Sequence, residues 1–480
     1  MSTDDVWVKL PPVIPHPKGN DHMSVVRGES EIDPDNDGLI GGADEAREKR
    51  YHGILQNQTD SADERAVREL STQLGSSDEH AKVGKNASRL DADSLAEILL
   101  AQCRTSDYAG YDPFDGLNSS LFKRLDFRLP PSLKIAWLQL HKRSPLNLRP
   151  FVGVPCRRNP KGIALIILGL IERERRVGDG GSITEAVRLA EWLLKQRCVR
   201  EQWKHSAWGY HFDWAARAFF VPCGTPNAIT TCYIARALAA LGTETGDPRF
   251  IEVATDAGLF IDSLYREDDG YYAYIPGETA FVHNANLWAA AVAAETASRL
   301  GDNAMMQRAI GAARRSVAMQ RADGAWTYGT RDHHSFIDGF HTGYNLEALS
   351  ALQLAAGIDE FEEAIRRGMA FYRENFFLPD GTVKYYDNSI WPLDTHSVAQ
   401  ALLTLRTVGS GDEDLRLATR VFKRAVHTLY MPRERRFVYQ KGKLMTNRIN
   451  YLRWTQAWAF YAIGAYANSI RMKSERQTLE

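Results

Sequence analysis

The chain holds 480 residues with 59 basic against 60 acidic side chains, so a net charge of −1 gives no reason to expect nucleic acid or another polyanion as partner. Its five cysteines, Cys103, Cys156, Cys198, Cys223 and Cys232, form no CxxC pair, which excludes a disulfide scaffold and suits reduced thiols in a cytoplasmic setting. No basic stretch leads into an apolar secretion core, and the most apolar run, GIALIILGLI at 162–171, is too short to span a bilayer and reads as a buried helix.

Residues 1–90 are rich in Asp, Gly, Ser, Asn, Glu and Pro and predict a mostly disordered polar leader. Within it, DPDNDGLIGGAD places Asp33, Asp35, Asp37 and Gly38 at the spacing of a calcium loop. Its twelfth position is Asp44 rather than a bidentate glutamate, so a solvated acidic loop is the expectation.

From about residue 92 the text repeats with a period near 57 residues. Each unit opens with an amphipathic helix: SLAEILLAQC at 94–103, SITEAVRLAEWLLKQ at 182–196, IEVATDAGLFIDSLY at 251–265, and others near Asn303, Asp359 and Asp412. Ser182 and Glu185 suggest a capping box, and Asp247-Pro248 an N-cap followed by a first-turn proline. A turn beside aromatics follows in several units, with Asp-Gly pairs at 269, 323 and 380 lying 54 and 57 residues apart. More apolar helices then start near 162, 226, 284, 341, 395 and 453; apolar on nearly every side, they require neighbours all round. Six outer and six inner helices predict an all-α closed ring of hairpins, an (α/α)6 toroid over residues 91–472, with 473–480 as a polar tail. An open helical solenoid is the alternative.

Closing the ring gathers the loops before the inner helices at one rim. Those loops bring Trp208, Tyr210, His211 and Asp213; then Tyr272, Asn284 and Asn286; then Trp326 and His334; then Trp391; and finally Arg453 and Trp454. Flat rings stack on the C–H faces of pyranoses while amides, carboxylates and imidazoles bond their hydroxyls, so this set is expected to bind saccharide. The stretch HHSFIDGFHTGYN at 333–345 and the start of the next inner helix supply Asp338, His341, Tyr344, Asp394 and His396 as candidate acid/base residues. His333, His334 and His341 lack HxxxH or HExxH spacing, so no metal is expected, and no cofactor motif is present.

The hairpin period, the Asp-Gly aromatic turns and the polar inner-helix starts resemble the six-hairpin glycosidase-like toroids over about residues 92–470. That superfamily includes glycoside hydrolases, unsaturated uronyl hydrolases, toroid domains of polysaccharide lyases and uronyl epimerases. More narrowly, SDYAGYDPFDGLNSSLF at 106–122 and LNLRPFVGVPCRRNPKG at 146–162 are similar to uncharacterised proteins associated with surface-polysaccharide synthesis. The resemblance implies a polysaccharide or oligosaccharide ligand, with polysaccharide-synthesis enzymes as potential partners. Two carboxylates drawn from Asp338, Asp394, Asp213 and Glu278 would suit glycoside hydrolysis. Asn284, Asn286, His341, Tyr344 and His396 would suit uronate elimination or epimerisation. Simple helix capping is the structural alternative for both aspartates, and a non-catalytic polysaccharide binder the functional one.

Overall fold

A computed structural model describes residues 91–125, 130–199, 201–215, 220–409 and 411–479; the polar leader and its acidic loop lie outside the described residues. The described chain folds into fourteen α-helices with a few two-residue strand pairs. Six form the inner ring: α4 (Pro160–Val177), α6 (Ala228–Thr245), α8 (His283–Leu300), α10 (Gly339–Ala356), α12 (Thr395–Thr407) and α14 (Gln456–Leu479). Six lie outside it: α1 (Ala92–Thr105), α5 (Gly181–Lys195), α7 (Pro248–Asp262), α9 (Asn303–Ala318), α11 (Glu362–Phe376) and α13 (Asp412–Leu429). Two more, α2 (Ser120–Leu125) and α3 (Pro131–Arg143), belong to an insertion between α1 and α4.

Each inner helix packs on the next, and α14 packs back on α4, so the ring closes. The expected toroid is therefore the fold, and the open solenoid is not. The pairing differs from the sequence reading in one respect. Every inner helix packs most closely with the outer helix that follows it, and α14, which has no successor, takes α1 from the other end of the helical region. The inner helices are buried almost throughout, as their all-round apolar character requires, and Trp208, Trp288, Trp326 and Trp458 are all but inaccessible within one continuous core.

Local signals are partly realised. Asp247 caps α7 ahead of Pro248 as expected, its carboxylate accepting from the Arg249 N–H. The Ser182–Glu185 capping box does not form. Helix α5 begins at Gly181 behind Gly180 in the left-handed region, leaving Ser182 inside the first turn to accept from Arg173, while Glu185 reaches Arg104 and Tyr108 on neighbouring elements. Residues 473–479, the expected polar tail, are the last turns of α14. Each of the five cysteines is a free thiol, and no helix of the described residues is long and apolar enough to cross a membrane.

The Asp-Gly turns have a packing reason. Asp323 and Asp380 fold their carboxylates back onto the N–H groups of Ala325 and Thr382. Gly324 and Gly381 adopt φ of 92° and 88°, and a Cβ on either would stand 2.3 and 2.4 Å from the carbonyl oxygens of Arg367 and Arg420 on the next outer helix. At 323 and 380 the pair thus docks the turn against its neighbour, whereas a Cβ on Gly270 would meet nothing nearer than 3.8 Å. Gly324→Ala is expected to lower stability by ~3 kcal/mol, combining positive-φ strain with a backbone clash. Gly311→Ala, in open space on α9, should be neutral or gain up to ~1 kcal/mol. Urea midpoints of the two variants check both.

Candidate active site

Four inner helices begin with a short polar N-cap that occupies an otherwise unsatisfied first-turn N–H. Asn159 accepts from Gly162 N at 3.2 Å, Asn227 from Thr230 N at 2.8 Å, Asp338 from His341 N at 2.8 Å and Asp394 from Ser397 N at 2.9 Å. Capping is therefore a role that both aspartates fill, and it fixes what else they can do.

The second oxygen of Asp338 accepts from His341 Nδ1 at 2.6 Å. A carboxylate can only accept, so Nδ1 carries a proton and Nε2 is the ring nitrogen left for another partner. The Asp338 side chain is buried, whereas the imidazole keeps 13 % of its surface. One turn further along α10, the Tyr344 hydroxyl meets His396 Nε2 at 2.6 Å. The His396 ring is clamped between Phe340 at 4.8 Å and Trp458 at 4.7 Å, with the edge of Trp454 at 4.9 Å. Burial, reinforced by the Arg453 charge, drives its pKa well below the ordinary imidazole value, so it stands neutral. Its Nδ1 is buried without a hydrogen-bond partner.

Asp394 gives its other oxygen to Gln440 Nε2 at 2.9 Å. Burial pushes this carboxyl up to about 6. Arg453 Nε bonds Asp112 at 2.5 Å with both side chains buried, and its guanidinium lies 5.3 Å from the Tyr210 ring and 4.8 Å from that of Trp454. His211, its pKa lowered to about 4 by burial, meets Asn159 at 3.0 Å through Nδ1.

Of the expected catalytic residues, Asp338, His341, Tyr344 and His396 thus meet at adjacent inner-helix starts, with Trp454 against His396 and Arg453 between Trp454 and Tyr210, while the Asp394 carboxylate turns to Ser397 N and Gln440. Asn284 is buried with its Oδ1 lacking a hydrogen-bond partner. Others of the set are structural. Trp208 and Trp326 are buried, their indole N–H groups donating to the carbonyls of Leu193 and Ser316. Asn286 is spent on Tyr272 N, Ala312 O and Ser316 Oγ, and Tyr272 faces Asp262 on the outer helix α7. Asp213 accepts from Cys223 N and pairs with Lys123. His334 is buried against Tyr328 and His333, and the Tyr328 ring also lies against His341. No cluster of three or more metal-ligating side chains occurs among the described residues. Glu278, with its carboxyl pushed up to about 7 by burial, is anchored by Arg331 and by the N–H groups of Thr279 and Ala280.

Two features escape the sequence reading. Lys161, at the second position of α4, is only 4 % exposed and faces the rings of Tyr233, Tyr344 and Trp458 at 4.2, 5.6 and 5.3 Å. The Pro-Lys-Gly that opens GIALIILGLI was the available signal. The second is a groove of about 520 Å³ lined by Lys142, Arg143, Tyr386, Trp391, Tyr439 and Gln440 among others. The end of α3 gives its basic rim, and Gln440 links its floor to Asp394. Of the expected binding residues, Trp391 belongs here.

No family model and no curated protein matches the chain. Among solved structures, it is similar to an unsaturated glucuronyl hydrolase specific for heparin, with TM-score 0.54 at 11 % identity over 79 % of this chain and 98 % of that one. Cellobiose 2-epimerase from Bacillus thermoamylovorans B4167 superposes with TM-score 0.51 at 9 % identity over 65 % and 88 %. A D-mannose isomerase does so with 0.50 at 9 % over 66 % and 88 %. What the chain shares with them is the (α/α)6 toroid architecture.

The raised Asp394 carboxyl gives a pH check on this geometry. Because the folded chain binds that proton more tightly than the unfolded chain, its contribution favours folding below pH 4 and is lost as pH rises to about 6. Asp394→Asn should flatten this part of the stability curve, by ~2 kcal/mol between pH 4 and pH 6. Urea denaturation of both proteins across that range measures the difference.

Proposed function

We propose that the chain is a carbohydrate-active enzyme that moves a proton at a sugar carbon, by epimerisation or by the related elimination, on a uronate-bearing oligosaccharide or polysaccharide. The observation that carries this reading is a pair of imidazoles, each fixed by its own partner, at neighbouring inner-helix starts: His341 on Asp338, and His396 on Tyr344. Proton abstraction next to a carbonyl or carboxylate needs a base on one side of the carbon and a proton donor within reach. His341 Nε2 and neutral His396 are groups of that type. Hydrolysis by paired carboxylates is less well served, because both oxygens of Asp338 and of Asp394 are already committed to hydrogen bonds.

The groove supports the substrate class. Tyr386, Trp391 and Tyr439 offer ring faces for pyranoses, Gln440 offers an amide, and Lys142 and Arg143 favour a carboxylate. The fold is shared with proteins named as a glucuronyl hydrolase, a sugar epimerase and a sugar isomerase, which is consistent with a saccharide ligand. A role in surface-polysaccharide synthesis, beside other enzymes of that process, is supported only by the likeness of segments 106–122 and 146–162.

Incubation in deuterium oxide with reducing disaccharides and uronate oligosaccharides is expected to place deuterium on a sugar carbon, read by mass spectrometry. His341→Ala and His396→Ala should each slow this exchange by ~10²–10⁴-fold. New reducing ends without deuterium would replace the reading with hydrolysis, and binding without any reaction would make the chain a saccharide-binding protein. Arg143→Glu should raise KM for uronate substrates while leaving KM for neutral disaccharides unchanged, which steady-state kinetics on both classes would test.

A further inference from the structure

Lys161 is an amine in a setting that opposes its protonation from several directions. It is buried, it occupies the second position of α4 where the helix end carries partial positive charge, and α4 packs against Arg453 so closely that a Cβ on Gly162 would lie 3.3 Å from the Arg453 Cβ. The nearest carboxylate acting on it, that of Asp112, is already bonded to Arg453. Among the described residues it forms no ion pair; its contacts are the ring faces of Tyr233, Tyr344 and Trp458. Burial and the Arg453 charge hold its pKa well below the usual lysine value. Tyr344 and Trp458 are also neighbours of His396, so amine and imidazole pack against the same two aromatic side chains.

We propose that Lys161 is an imine-forming amine that condenses with the open-chain aldehyde of a reducing sugar. The nitrogen lone pair adds to C1, the C–N bond forms, and the carbonyl oxygen becomes the hydroxyl of a carbinolamine. That oxygen then leaves as water with the two hydrogens the amine brought, and the C=N bond remains. No oxidant or reductant takes part. Protonation of the imine creates a cation facing three aromatic rings, which stabilise it without a counter-ion. The electron-poor C=N makes the adjacent sugar C–H acidic, and His396 is the nearby neutral base. The inference rests on the sugar-directed reading given above, adding a covalent intermediate to it.

The test is reductive trapping. The full chain is incubated with glucose, mannose or glucuronate and sodium cyanoborohydride, then analysed by intact mass and peptide mapping, with glucitol as the aldehyde-free control. The expected result is one sugar adduct per chain, on Lys161, forming at least tenfold faster than adducts on the exposed Lys195 and Lys443, and absent with glucitol. Lys161→Arg and Lys161→Met, shown to be folded by circular dichroism, should lose that adduct. Labelling confined to exposed lysines, or equal in the Arg variant, overturns the proposal. So does sugar-carbon deuterium exchange by the wild-type chain with Lys161 unlabelled, an outcome that leaves the proton-transfer reading intact.

Discussion

Two carboxylates in one turn, Asp112 and Asp115, each bind an arginine that is almost wholly out of water. Arg149 donates to Asp115 at 2.6 Å, to the carbonyls of Asp112, Pro113 and His141, and to the Tyr451 hydroxyl, while Arg453 donates to Asp112. Removing one partner from such a pair leaves a bare charge in a medium that cannot solvate it, at a cost of ~3–5 kcal/mol. The geometry therefore leaves little freedom where the insertion between α1 and α4 meets the loop ahead of α14. That junction sets the position of α3 and with it the basic rim of the groove. It also points the Arg453 guanidinium between Tyr210 and Trp454, close enough to Lys161 and His396 to bias both towards their uncharged forms.

The fold was readable because helical periodicity reports which faces are buried, and a face buried all round implies a neighbour on every side. The starts of α4, α6, α8, α10, α12 and α14 lie within three residues of those expected. The partner of α1 was not readable, since nothing in a local pattern says that the first outer helix waits for the last inner one. The site was half readable. His341, Tyr344, His396, Arg453 and Trp454 converge as the loop argument requires. Trp208, Trp326 and Asn286 instead bond the protein itself, because an indole N–H or a carboxamide at a helix junction can be consumed by backbone groups just as well as by a sugar. Composition cannot distinguish the two uses.

Lys161 is the opposite case, hidden because its surroundings are apolar. A lysine beside a long aliphatic run reads as a solvated helix end, and only closure of the ring brings Tyr233, Tyr344 and Trp458 from three other inner helices around it. The same closure explains the division of labour among the carboxylates. Asp338 and Asp394 are first of all helix caps, and the imidazole of His341 inherits its orientation from a group whose primary task is to cap the start of its helix.

Sealing the ring through α14, which packs on both α1 and α4, bears on the order of events during synthesis. The apolar flanks of α1 and α4 emerge from the ribosome early, yet their shared neighbour is the final 24-residue helix. At ~5–20 residues per second the wait is roughly 20–70 s. Throughout that interval the growing chain carries uncovered greasy surface, which makes it a natural client for holding chaperones and renders truncation within α14 far more damaging than the small loss of mass would imply.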